Sequence, residues 1–468
     1  MTSSFFDLVF VVLSKIIEIC AIAGRVIYAN IALILVLIFC PNAKTFGHIP
    51  PRELRRYRQR GFHFGEKLGF YIMKDDSMYG SIGIFGTTGS RKTSSYNLPS
   101  NWTMRASKLV FDNQGDIYPQ LKDKLECVRV MDPFDPDSFG FDPFYLMREM
   151  ENKALASDIL ARSLIPDQPE ARDQMWHQNA QLILSGAISH FYAKKYSFTK
   201  TIDEFKRRKL GELMEELANS PSPEARDCLN LLLESGDRTL GNIFTEIVRS
   251  IRVLTRDPYI KSLLSRKNNI RPIDHQNGID IYVNIPQKLI FPWRPFVKMF
   301  VNIWLFDVDN RPLDCKVPLH ISLDEVVQFG YLPELPQALA TCRKRNAIIS
   351  LTAQSTAQLE VVYGDRGAEE IINNLNYLVV TQILHPKTQK LFSDKAGTYE
   401  KEVETETTTY AEDGVTIRSI SRSKTKKRER IIQPEEFASI KDAVLFHNNG
   451  FCRVNKVSFK AAPTHLPR

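Results

Sequence analysis

The chain has 468 residues, 43% of them hydrophobic and 25% charged, with a formal net charge of +8. That length holds two or three domains, and the composition excludes a chain too polar to build a core. The modest positive excess suits a polyanion or an anionic membrane surface as neighbour and establishes neither. The seven cysteines (Cys20, Cys40, Cys127, Cys228, Cys315, Cys342, Cys452) include no C-x-x-C pair. They read as free thiols in a reducing compartment, not as a disulfide framework or a zinc site.

Val26 to Cys40 is almost wholly apolar, with Asn30 its one strongly polar residue. With its flanks it approaches the ~20 residues that cross a bilayer. Phe5 to Gly24 is also apolar-rich but carries Asp7, Lys15 and Glu18. A hairpin of two spans is expected over a single span, with residues 1–44 as a membrane anchor. No small-residue cleavage site follows, which weakens the alternative of a cleaved leader. The next stretch holds Lys44, Arg52, Arg55, Arg56, Arg58 and Arg60. By the positive-inside rule this side faces the cytoplasm, so the expected location is the cytoplasmic membrane with residues 45–468 inside.

Short apolar runs at Ile82–Phe85, Leu109–Phe111 and Val128–Met131, bounded by Gly, Asp or Pro, read as buried strands. Further runs are Ile279–Ile285, Leu319–Leu323, Ala347–Leu351 and Tyr377–Ile383, with helical patterns at Pro333–Lys344 and Ala368–Asn374. This alternation predicts an α/β fold with a mainly parallel sheet. Between them the texture changes. Asp158–Leu164, Asp173–Tyr192, Ile202–Leu217, Pro223–Leu233 and Leu240–Leu254 show helical spacing with almost no strand signal. An all-helical domain (155–266) is therefore expected inside a discontinuous α/β domain (45–154 and 267–468). Glu400 to Arg430 is charged and Thr/Ser-rich, acidic first and then basic from Arg422. It reads as a long hairpin or a mobile loop, and its charges as a solvated face or a nucleic-acid contact. Val444–Val457 is strand-like again.

The strand Ile82–Phe85 runs into Gly86-Thr87-Thr88-Gly89-Ser90-Arg91-Lys92-Thr93-Ser94. This is nearly the phosphate-binding pattern G-x-x-x-x-G-K-[ST]. Glycines let backbone N–H groups wrap a phosphate, the lysine supplies a compact charge, and the hydroxyl holds Mg²⁺. Lys92 and Thr93 stand in place, but Arg91 occupies the position of the last glycine. Such a loop needs an acidic partner from a strand end, and Leu319-His-Ile-Ser-Leu-Asp324-Glu325 fits. Asp324 would support Mg²⁺ and Glu325 would orient or activate water. A strand terminus with two solvated carboxylates is the bland alternative. Gln354 follows the next strand, where an amide can sense a γ-phosphate. One of Arg343, Lys344 and Arg345 would reach a neighbouring subunit's nucleotide as an arginine finger, or simply end a helix. Asp112-Asn-Gln-Gly-Asp116 and Met131-Asp-Pro-Phe134 follow two other strands.

The order of these pieces is more specific than any one of them. The chain resembles the coupling proteins of conjugative type IV secretion systems, the TraG/TraD-like ATPases, over essentially its whole length. The resemblance rests on the N-terminal apolar segment, the loop followed by Asn97-Leu-Pro99, the strand ending Asp112 with Gly115-Asp116, Asp132-Pro-Phe134 and Phe141-Asp-Pro143. It continues with Met175-Trp-His-Gln-Asn-Ala180, Leu323-Asp-Glu325, Gly330-Tyr-Leu-Pro-Glu-Leu335, Ala353-Gln-Ser355, Tyr363-Gly364 and Gln433-Pro-Glu-Glu436.

The resemblance implies a RecA-like P-loop motor domain using ATP and Mg²⁺, an inserted cargo-recognising helical domain, and a homo-hexameric ring at the inner membrane. It implies a relaxase–single-stranded DNA complex and the secretion channel's components as partners. By position, Lys92, Thr93, Asp324, Glu325 and Gln354 take the nucleotide roles, and Arg343 becomes the finger. The family usually has Gly where Arg91 stands and Pro-Lys where Asn113-Gln114 stands. If φ at Arg91 must be positive, an arginine there strains the turn by roughly 1–3 kcal/mol. ATP hydrolysis therefore stays open. The alternatives are a nucleotide-binding receptor that does not hydrolyse, and an FtsK-like DNA translocase.

Overall fold

A computed structural model describes residues 2–40, 47–58, 60–166, 174–232, 237–410 and 417–457. Its centre is a nine-stranded sheet. In chain order the strands are β1 (Ser81–Phe85), β2 (Ser107–Phe111), β3 (Val128–Met131), β4 (Asp280–Val283), β5 (Leu319–Leu323), β6 (Ala347–Ala353), β7 (Leu375–Val380), β8 (Ala443–His447) and β9 (Gly450–Val454). Across the sheet they run 9-8-7-1-6-5-2-4-3. The seven from β7 to β3 are parallel, and β8 and β9 add an antiparallel edge. The predicted α/β class, its strands and their parallel order are all present.

Both faces of the sheet are covered, which is why its strands read as unbroken apolar runs. Phe85, Leu109, Ile281, Ile321, Ile349 and Val380 face one core, shared with helices Lys153–Leu164, Arg294–Asn310 and Thr356–Asn373. Ile82, Ile84, Ile348, Val379 and Leu445 face the other. There a three-stranded antiparallel sheet packs, formed by Arg55–Arg56, Phe62–Lys67 and Phe70–Lys74. Its hairpin turns at Leu68-Gly69, both with positive φ, as a tight primed turn requires.

Among the described residues between Lys153 and Leu263 the regular elements are all helices, as the spacing predicts, and their apolar sides join the first core. One predicted helix is two. Ile202–Leu217 breaks into Phe198–Arg207 and Leu210–Ala218, because Arg208 is extended (ψ 150°) and bonds both Glu204 and Glu216. The segment after Gly397 is a two-stranded ribbon, Thr398–Tyr410 against Ile417–Arg430.

The N-terminus departs from the two-span expectation. Thr2–Phe39 is one unbroken helix. Gly24 keeps its backbone donor and lowers helix stability by only ~1 kcal/mol. Arg25 needs no turn to reach a partner: it bonds Glu66 at 2.7 Å and lies over the Tyr71 ring. Among the described residues, Ile19–Phe39 is the one helix long and apolar enough to cross a membrane.

Candidate functional site

All the parallel strands present their carboxyl ends on one side, where α/β sheets place ligands. The Gly86–Ser94 loop leaves β1 at the middle of that side, between β7 and β6. Gly86 admits no side chain, since a Cβ there would stand 1.8 Å from Thr381 Oγ1. Gly89 has φ +81° and nothing near its missing Cβ. Arg91 has φ +66°, the left-handed conformation that the usual glycine adopts freely. Its side chain is exposed, near enough to Lys456 to lower that ammonium's pKa after burial has done most of the lowering.

Thr93–Asn97 follows as a wide π-type turn, and Leu98–Thr103 as α-helix. Pro99 has no N–H to return to Ser95, which favours the wider turn. This helix start gives the loop its forward-pointing N–H groups and the hydroxyl of Thr93.

Lys92 is buried. Its Nζ donates to the Gly86 carbonyl at 2.6 Å and pairs with Glu325 Oε1 at 3.0 Å. Two residues far apart in sequence therefore meet. Asp324 is 4% exposed and accepts from Thr352 Oγ1 at 2.6 Å and Asn97 Nδ2 at 3.3 Å. Asn113 Nδ2 donates to the Asp324 carbonyl at 2.8 Å. Burial raises the Asp324 pKa; the Thr352 bond and Lys92 oppose that, while Glu325 and Asp112 add to it. Glu325 sits at φ 48°, ψ 54°, its N–H bonded to Thr352 Oγ1 at 2.7 Å. Gln354 follows β6 beside the loop, its N–H bonded to Gln358 Oε1, while the Gly86 N–H reaches the Ala353 carbonyl.

Of the predicted site residues, Gly86 through Ser94, Asp324, Glu325 and Gln354 come together. Arg343 does not join them within one chain. It lies at the opposite end of the sheet, before β6, with its guanidinium 5.5 Å from the Tyr79 ring. Asp112 caps a turn, accepting from the N–H groups of Asp116, Ile117 and Tyr118. The basic run of the ribbon is largely answered across it: Lys424 pairs with Glu404 and Arg422 with Glu406. Sequence reasoning missed Thr352. Its signal is slight, a hydroxyl two residues before Gln354 on a strand beside Asp324.

The residues present fit a nucleotide and its metal. A lysine lies folded into a cradle too tight for a Cβ, and Ser90 Oγ and Glu325 Oε2 are buried with no hydrogen-bond partner. A hydroxyl (Thr93) and a carboxylate (Asp324) near the loop are oxygen donors of the kind Mg²⁺ prefers.

Residues 47–459 match the family model for type IV secretory system conjugative DNA transfer. A probable conjugal transfer protein TraG of Sinorhizobium fredii is 22% identical over 77% of this chain and 59% of its own length. The type IV secretion system-coupling protein VirD4 of Bartonella henselae is 21% identical over 75% of this chain and 58% of its own. The chain thus spans under two thirds of the length of these relatives. Among solved structures, the unbound coupling protein TrwB superposes with a TM-score of 0.70 at 20% identity, covering 89% of this chain and 93% of that one. TrwB in complex with ADP and Mg²⁺ gives 0.68 at 19%, covering 88% and 93%. These likenesses show that the chain has the TrwB fold.

Proposed function

Since the chain belongs to the type IV secretory system conjugative DNA-transfer family, we propose that it is a membrane-anchored coupling ATPase. It recruits a relaxase–DNA or protein cargo and drives it into the secretion channel. In this reading Ile19–Phe39 anchors the protein in the inner membrane and the bulk lies in the cytoplasm. Residues 155–266 form the cargo-recognising domain, and six copies form a ring in which Arg343 serves a neighbour's nucleotide.

The observation that carries the reading is the Lys92–Glu325 contact at 3.0 Å inside the loop's cradle. Bound MgATP supplies the transferable phosphoryl group and a divalent charge. Lys92, now on the Gly86 carbonyl and Glu325, would bind phosphate oxygens, Thr93 and Asp324 would hold Mg²⁺, and Glu325 would orient a water and accept its proton. Gln354 reads the γ-phosphate through its amide. A bound relative, TrwB with ADP and Mg²⁺, supports the choice of ligand.

The test is ATP turnover by the full chain, with and without single-stranded DNA, against Lys92→Ala. DNA-stimulated turnover lost in the variant supports the assignment. Turnover unaffected by Lys92→Ala overturns it. The positive φ of Arg91 favours a second reading, a receptor that binds nucleotide without hydrolysing it. That reading fails if the wild type turns over ATP as fast as Arg91→Gly.

A further inference from the structure

Thr352 is 2% exposed, on the strand between β1 and β5. Its hydroxyl donates to Asp324 Oδ1 at 2.6 Å and accepts from the Glu325 N–H at 2.7 Å. We infer that Thr352 is a positioning residue of the nucleotide site, one hydroxyl that holds the Mg²⁺-facing carboxylate and the water-facing glutamate as a unit. The inference rests on the nucleotide reading above.

Three observations carry it. First, Glu325 is a non-glycine residue in left-handed backbone, a conformation that persists only where the surroundings over-determine it. The bond from its N–H to Thr352 fixes this backbone, beside the Gln328 N–H that reaches its carbonyl and the Lys92 contact on its carboxylate. Second, the remaining side-chain bond to Asp324, from Asn97, is long at 3.3 Å. Without the hydroxyl, a buried carboxylate beside Glu325 and Asp112 loses its shortest support. Third, the register sets Thr352 beside Asp324: Leu323 pairs with Leu351, so the residues that follow them stand side by side. Packing alone would accept valine in the same volume, and a strand favours it. The hydroxyl is the difference.

The test uses the full chain in detergent, with Thr352→Val, Thr352→Ser and Lys92→Ala beside wild type. Binding of a fluorescent ATP analogue is titrated in EDTA and across Mg²⁺ concentrations, and turnover is measured alongside. Thr352→Val is expected to raise the Mg²⁺ needed for half-maximal binding by about 10- to 100-fold, the usual effect of losing a group that orients a metal ligand. Its affinity in EDTA stays within about 3-fold of wild type, and Thr352→Ser restores the Mg²⁺ dependence. Unchanged Mg²⁺ dependence in Thr352→Val overturns the inference. So does an equal loss of affinity with and without Mg²⁺, or a serine variant that behaves like valine. If Lys92→Ala binds the analogue as wild type does, the nucleotide reading falls and the inference with it. If Lys92→Ala loses binding while Thr352→Val matches wild type, only the inference falls.

Discussion

Replacing Arg91 by glycine isolates the strain in the phosphate loop. Arg91 sits at φ +66° with its side chain exposed. A non-glycine residue held there costs on the order of 1–3 kcal/mol. Glycine removes that strain but loses about 0.5–1 kcal/mol through the greater freedom of its unfolded chain. The net expectation is a stabilisation of ~0.5–2 kcal/mol. Arg91→Ala is the control. It removes the same charge, and so the same repulsion on Lys456, but leaves a Cβ in the left-handed region. Urea midpoints of the full chain, followed by tryptophan fluorescence, should rise for glycine and change much less for alanine. Equal stabilisation by both variants would show that charge, not backbone strain, is what arginine costs the loop. A glycine variant less stable than wild type would refute the reasoning outright.

Glu325→Gln should keep MgATP binding and lose turnover by about 10²-fold or more, read by a fluorescent analogue and a phosphate-release assay. Lys108→Met strips the lysine from a buried pair, 3.1 Å from Asp280, and should lower stability by roughly 3–5 kcal/mol in the same urea titration. Acid should destabilise the fold steeply. Burial lowers the pKa of His63 to about 4 and of His275 and His320 to about 3, so these stay neutral when folded but charge below ~6.5 when unfolded. Their contribution is present above that pH and lost as pH falls. Burial raises Asp307 to about 7, which acts in the opposite direction by holding a proton in the folded state. Near pH 5 unfolding therefore takes up a net two protons from these four groups, and stability should fall by about 2.7 kcal/mol per pH unit. A urea midpoint that does not move between pH 6 and 5 would contradict the burial of these imidazoles.

The sheet was legible because its inner strands are buried on both faces and read as apolar runs between turn residues. Ile82–Phe85, Leu319–Leu323 and Ala347–Leu351 needed no tertiary information. The lysine and the acidic pair were legible because their chemistry demands fixed residue types at strand ends. What makes them a unit was not. Thr352, Asn97 and Asn113 act through distances that depend on register between strands far apart in sequence. The sheet of Phe62–Lys74 escaped notice because its sequence mixes Gly, Lys and His with its aromatics, blurring the alternation. The unbroken N-terminal helix was hidden because Arg25 finds its partner, Glu66, on another element.

The strand order carries a consequence for how the polypeptide is made. Ile82, just before the phosphate loop, pairs with Ser350 on one side and Tyr377 on the other. At about 5–20 residues per second, a ribosome reaches those partners roughly 13–60 s after making the strand itself. Through that interval this inner strand waits with both margins open, a template for wrong pairing. The cradle can close only once translation has passed Val380, so truncated products ending earlier should be captured by chaperones rather than bind nucleotide.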